Sequence, residues 1–267
     1  MEFIVNFLKG IAISISQIVP GVSGGTIAIV LGIYDKLIHA INTIFKDFKN
    51  QGKFLVQVGL GIVVGMFLFS SLINNLIDKF PIQIGYLFIG IILGGAPLMF
   101  KKATVKGFTK KSLIFLVMGV IIALLLSGDG EDKSDIIRTL TVSNFIWLFV
   151  GGIVFAISLI LPGISGSFML LILGLYETFT TAISEFNILI LLPIGIGALI
   201  GTLATARIIE YLLKKFPEGT YMMIFGFVLA SVTGVFPGVS LWESIVGVIV
   251  GIIGFIGTVK ISNIESK

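Results

Sequence analysis

The chain of 267 residues is 56% hydrophobic and only 12% charged, with a mean hydropathy of +1.13. That is about half the charge of a soluble domain, which excludes an ordinary water-soluble fold. Its net charge of +4 comes mostly from loops, where membrane proteins carry their basic bias, and gives no reason to expect a nucleic-acid partner. The absence of cysteine excludes disulfides, thiolate metal sites and covalent thiol chemistry, and the single histidine, His39, is too little for a metal cluster, so neither metal nor cofactor is expected.

The N-terminal MEFIVNFLKG has no basic stretch ahead of its apolar residues and no small-residue cleavage site, so it reads as part of the mature fold. Apolar runs then recur at close to the ~20 residues that a helix needs to cross a bilayer. Barrel strands would show short alternating segments instead, so the chain is read as all-α and polytopic. The first run, GIAISISQIVPGVSGGTIAIVLGIYD at 10–35, is broken by proline and glycine. It predicts a hairpin around 3–44, followed by plain spans near 55–77, 82–100 and 112–127. The run GIVFAISLILPGISGSFMLLILGLYE at 152–177 aligns with the first without a gap. Pro20 falls on Pro162, Gly21 on Gly163, Ser23 on Ser165, Gly24 on Gly166, Gly32 on Gly174 and Tyr34 on Tyr176, while Asp35 faces Glu177. Further on, Gly61 and Gly65 correspond to Gly197 and Gly201, and Phe80-Pro81 to Phe216-Pro217. The second copy therefore has a hairpin around 143–184 and spans near 187–210, 220–236 and 242–260. Residues 1–127 and 128–267 are two repeats of one integral membrane domain.

Loop charges set the orientation. Lys101, Lys102, Lys106, Lys110 and Lys111 make a basic loop that belongs in the cytoplasm, and the acidic stretch from Asp129 to Arg138, with Glu131, Asp132 and Asp135, then lies outside. If each broken segment enters and leaves on one face, Lys46, Lys49, Lys53, Arg207, Lys214, Lys215 and Lys260 all fall on the cytoplasmic side, as do both termini. A paired hairpin plus three crossings is an odd number, so the two copies are expected to be inverted, each a broken or re-entrant hairpin with three transmembrane helices. Inverted repeats mark secondary transporters, whose site lies at the repeat interface.

Proline removes a backbone donor and glycine relaxes the chain, so the helices should hinge at Pro20, Gly21, Pro162 and Gly163. A helix starting just after each turn presents free N–H groups and the positive end of its dipole, which favours an anion. Ser23, Gly24, Gly25 and Thr26 in one copy and Ser165, Gly166 and Ser167 in the other are the candidate phosphate-binding residues. The plain alternative is a Gly/Ser-rich hinge for close helix packing. Arg207 sits in the apolar stretch GALIGTLATARIIEYLL. At a cost of about 2.5–3.5 kcal/mol at mid-bilayer it should face the interior and could neutralise an anionic headgroup; alternatively it pairs with Glu210 and snorkels to the cytoplasmic face. Asn74 and Asn75 occupy the corresponding region of the first copy. Gly61-x-x-x-Gly65 and Gly197-x-x-x-Gly201 read as close helix packing.

Gly21-Val22-Ser23-Gly24-Gly25 also satisfies the G-x-S-x-G nucleophile pattern. A nucleophilic serine needs a base within reach, the only histidine has no counterpart in the second copy, and Ser167 stands where the pattern needs its last glycine. Binding rather than catalysis is therefore the reading.

The repeated PG-[VI]-SG turns, each followed by L-G-[IL]-Y-[DE], resemble the polyprenyl-phosphate transporter family of bacterial and archaeal membrane proteins, formerly a domain of unknown function. The resemblance covers nearly the whole chain. It implies flipping of undecaprenyl phosphate, the cell-wall carrier lipid, from the outer to the cytoplasmic leaflet of the inner membrane for reuse. Ser23 to Thr26 and Ser165 to Ser167 would hold the phosphate and Arg207 its charge, with membrane lipid around the prenyl tail. Proton or sodium coupling or gating would draw on Glu210, Asp35, Glu177, Asn74 or Asn75, and self-association stays open. A transporter or channel for a small soluble anion, and an intramembrane enzyme acting on a lipid phosphate, are the alternatives.

Overall fold

Proline and positive-φ glycine at the same places in two related stretches should produce the same breaks twice, and they do. The computed structural model describes residues 2–105, 107, 109–126, 135–239 and 241–265. Among these the chain is all-helical, in two runs of six. The first holds α1 (Glu2–Ile18), α2 (Gly24–Val30), α3 (Tyr34–Thr43), α4 (Phe48–Lys79), α5 (Pro81–Ala103) and α6 (Lys110–Leu125). The second holds α7 (Val142–Ile160), α8 (Gly166–Ile172), α9 (Tyr176–Ser184), α10 (Ile188–Lys215), α11 (Pro217–Val235) and α12 (Leu241–Glu265). Lys106, Asp129, Glu131 and Asp132, used above for orientation, and residue 127 lie outside the described residues.

Each hairpin bends twice. The first break follows α1 or α7 at the Pro-Gly turn; the second separates α2 from α3 by 115° and α8 from α9 by 116°. The second bend is a Schellman cap. At Gly32 (φ 68°) the glycine N–H reaches the Ile29 carbonyl and the Ile33 N–H the Ala28 carbonyl, both at 2.9 Å. Gly174 (φ 66°) repeats it with Leu171 and Leu170. The sequence comparison paired these glycines without assigning them the bend.

Six helices, α4, α5, α7, α10, α11 and α12, are long and apolar enough to cross a membrane, or up to eight spans if each bent pair counts as one. Val56, Leu60, Val63 and Phe67 on α4, and Ile245, Ile249, Ile252 and Ile256 on α12, are exposed. Stripes of that kind face lipid, and the chain is a multi-pass membrane protein. Asp47 starts α4 by accepting a bond from the Asn50 N–H, and the amide of Asn50 holds its carboxyl below the usual carboxylate range.

Since burial against lipid-like side chains supplies little drive, the helices associate through close backbone contact. α1 packs on α4 and α7 on α10 through their glycines. A Cβ on Gly61 would lie 2.1 Å from the Phe7 carbonyl oxygen, and one on Gly197 2.1 Å from that of Phe149. The last helix of each run crosses to the other: α12 packs on α5, with Gly90 against Gly251, and α6 packs on α11, with Gly119 against Met223 and Gly226.

Candidate functional site

Ser23 and Ser165 each begin a short helix from an extended backbone, at φ −93° and −87°, and neither side chain caps its own helix. Neither hydroxyl is therefore spent on a cap. The two turns meet: a Cβ on Gly25 would lie 3.2 Å from Pro162 Cα. Both turns also lean on α11. Gly21 and Gly163, each at φ +80°, approach the carbonyl oxygens of Gly234 and Phe227, where a Cβ would come within 2.3 Å. These carbonyls are seven residues apart on one helix, about 10 Å along its axis.

Beside this junction lies an open cleft of about 180 Å³. Its polar lining is Gln17, Ser23, Ser158, Ser165 and Ser167, together with the backbone of Gly24 and Gly166, and its apolar lining includes Met66, Phe155 and Leu159. Ser23 is 7% exposed, Ser165 is half-buried and Ser167 exposed. Ser165 Oγ and Ser167 Oγ are 3.0 Å apart. The first-turn N–H groups of α2 and α8 add donors that no helix can satisfy internally, although at seven residues each helix is too short for much of a macrodipole.

The remaining sequence candidates are placed elsewhere. Gly25 stands behind the cleft against Pro162. Thr26 is 1% exposed, does not line the cleft, and its hydroxyl has no partner. Asn74 and Asn75 are exposed near the end of α4, and Glu177 is exposed at the start of α9. Arg207 was expected to face the interior or to pair with Glu210, and it does neither: it is exposed on α10 and lines no part of the cleft. The helix turns Thr205, Ala206, Ile209 and Glu210 inward, which puts Arg207 and Ile208 on the outer face.

Glu210 is 6% exposed and belongs to a polar cluster that joins the two runs. His39 Nδ1 lies 2.6 Å from its Oε1, the Lys214 ammonium donates to the same oxygen at 2.5 Å, and the Asn42 amide donates to Oε2. A second cluster holds Asp35, whose Oδ2 accepts from Lys102 at 2.6 Å and from the Tyr221 hydroxyl at 2.7 Å. The Tyr34 hydroxyl donates to the Ile160 carbonyl at 3.1 Å, one of those that the break at Pro162 releases from the α7 ladder. His39 is thus committed to Glu210 and lines no part of the cleft, so it is not placed as a base for Ser23.

Sequence reasoning missed Gln17 and Ser158. Ser158 had a signal, since it aligns with Ser16 and both hydroxyls bond back to the carbonyl three residues earlier, at 2.6 and 2.7 Å. Gln17 had a weaker one, an amide in a mostly apolar helix that also carries Asn6, with Leu159 as its counterpart.

Residues 13–247 match the family described as VCA0040-like, undecaprenyl phosphate translocase-like. The chain is 37% identical to the polyprenyl-phosphate transporter of Staphylococcus aureus (strain NCTC 8325 / PS 47), over 98% of this chain and 97% of that protein. It is 31% identical to the polyprenyl-phosphate transporter of Vibrio cholerae serotype O1 (strain ATCC 39315 / El Tor Inaba N16961), over 89% of this chain and 79% of that one. No solved structure matches.

Proposed function

Because the chain belongs to the undecaprenyl phosphate translocase-like family, we propose that it is a flippase that returns undecaprenyl phosphate from the outer to the cytoplasmic leaflet of the inner membrane, where the carrier lipid re-enters cell-envelope synthesis. The observation that carries this reading is the cleft between the two turns. Hydroxyls from both repeats, an amide and unsatisfied N–H groups suit a phosphate, and Met66, Phe155 and Leu159 suit the first carbons of a lipid tail. The phosphate ligands are Ser23, Gly24, Ser165, Gly166 and Ser167, with Gln17 and Ser158 added, and Gly25 and Thr26 support the turn from behind. The two repeats are inverted, both termini are cytoplasmic, and the headgroup crosses while the tail stays in lipid. Arg207, exposed on α10 toward the cytoplasmic side, meets the headgroup as it leaves the cleft.

Inward movement of an anion runs against an inside-negative potential, at about 2.3 kcal/mol per charge per 100 mV. A coupling cation, proton or sodium, is therefore part of the proposal, with Asp35, Glu177 and Glu210 the acidic side chains available to it. The apolar lining argues against a free inorganic anion as substrate, and the relatives' names are those of transporters, not enzymes.

The test is a leaflet-specific assay in reconstituted vesicles with a fluorescent prenyl phosphate, run beside inorganic phosphate uptake and product analysis. Flipping without phosphate uptake and without a new product is expected; phosphate uptake alone, or a dephosphorylated product, would overturn the reading. Ser23→Ala should weaken flipping only in part, because other donors remain. Arg207→Ala should lower the limiting rate and leave the lipid concentration for half-maximal rate near wild type.

A further inference from the structure

The two runs share a sequence pattern, a helix order and the pairing of their long helices, but their hairpins differ in what they pack against. Hairpin α2–α3 packs on α5, α7, α10 and α12, and its Val22, Ile27, Ile33, Tyr34 and Ile38 belong to the main core. Among the described residues hairpin α8–α9 packs mainly on its own run, α7 and α10, and its Leu170, Leu175 and Ala182 belong to a separate small core. Tyr34 is 3% exposed and bonded to Ile160, whereas its counterpart Tyr176 is 38% exposed with no hydroxyl partner among the described residues. By the same alignment Ile160 corresponds to Ile18, Glu210 to Asn74, Lys214 to Asp78, His39 to Thr181 and Asn42 to Ser184. Asn74, Asp78 and Ser184 are exposed.

The proposed inverted transport cycle supplies the premise that each contact of one hairpin has a counterpart for the other. We infer that the chain has a second state, in which α8–α9 closes onto α1 and α4 while α2–α3 releases. Tyr176 then donates to the Ile18 carbonyl, and Asn74 meets Thr181 and Ser184. The two latches differ in charge. The groups facing Glu210 are His39 and Asn42 from α3 and Lys214 from its own helix; the counterpart latch has neutral amide and hydroxyl groups, with Asp78 as its one charge. Closure of the first hairpin is therefore the favoured state, because charge-assisted bonds are roughly twice as strong as neutral ones.

The chain has no cysteine, so introduced pairs report without background. His39→Cys with Glu210→Cys should cross-link in native membranes as the state with the first hairpin closed. Asn74→Cys with Thr181→Cys should cross-link as the second state, and in a Glu210→Gln background its yield should rise by roughly threefold to tenfold. Labelling of Tyr176→Cys by a water-soluble maleimide should slow in the same background, a readout that needs no second cysteine. Failure of the Asn74/Thr181 pair to cross-link, or unchanged Tyr176→Cys labelling in Glu210→Gln protein of normal thermal stability, would overturn the second state. Neither measurement needs a lipid substrate. Cross-links without flipping would overturn the proposed substrate and leave the two states standing; flipping without cross-links would do the reverse.

Discussion

At the scale of single residues, the backbone around the two turns leaves no freedom at Gly21 and Gly163. Each combines φ +80° with a carbonyl oxygen 2.3 Å from where a Cβ would sit. A left-handed conformation costs a non-glycine residue about 1–2 kcal/mol and overpacking adds about 1–3 more. Gly21→Ala or Gly163→Ala should therefore lower the detergent-solubilised melting temperature sharply. Gly59→Ala and Gly195→Ala, in helices with nothing within 4 Å of the new methyl, should instead gain about 0.5–1 kcal/mol. Thr26 gives a subtler contrast. Its buried hydroxyl lacks a partner, so Thr26→Val, nearly the same shape, should be neutral or stabilising by about 1 kcal/mol in the same melting assay. The helix breaks at the two Pro-Gly turns were legible in sequence because proline and glycine act locally. The clusters at Glu210 and Asp35 were not: His39 and Glu210 are 171 positions apart, and no local pattern announces such a pairing. Arg207 shows the opposite failure, since its cost in lipid argued for an inward face but the face of α10 that carries it is set by packing against α3 and α7.

At the scale of elements, the repeats meet the same packing problem with different chemistry. Asn6 on α1 donates to Gln57 on α4 at 2.7 Å, and both are buried. The aligned positions in the second run are Leu148, fully buried, and Pro193. An apolar contact thus suffices between α7 and α10. Asn6→Leu alone should cost about 1–3 kcal/mol by orphaning the Gln57 carbonyl. Asn6→Leu with Gln57→Leu should cost less than the single change, because no buried polar group is then left unpaired; melting of the single and double variants measures the difference. The long helices were legible from apolar length alone. The second bend of each hairpin was not, because a glycine in L-G-[IL]-Y serves packing or capping equally well until the bonds of the Schellman motif are seen.

At the scale of the whole molecule, self-comparison exposes two repeats but not how they interlock, since the apolar faces of α6 and α12 would suit either partner. Neither helix stays with its own run. α12 lies on α5, its Ser262 hydroxyl donating to the Val30 carbonyl of the first hairpin at 3.2 Å, and α6 lies on α11, where Thr109 donates to Glu218 at 2.8 Å. Residues 1–127 alone would leave Gly90 and Gly94 of α5 without the backbone of Gly251 and Phe255 that they are shaped to meet. The complementary half would expose Gly226, which approaches the Leu116 carbonyl. With so much of the small-residue contact running between halves, neither has a complete set of helix partners. Expressed separately, 1–127 and 128–267 should each be degraded or aggregate. Expressed together, a tag on one half should recover the other in about equal amount, and the joined halves should restore flipping. A tagged 1–127 that accumulates alone as a monodisperse species would mean that each repeat folds on its own and that the crossed helices are a late docking event.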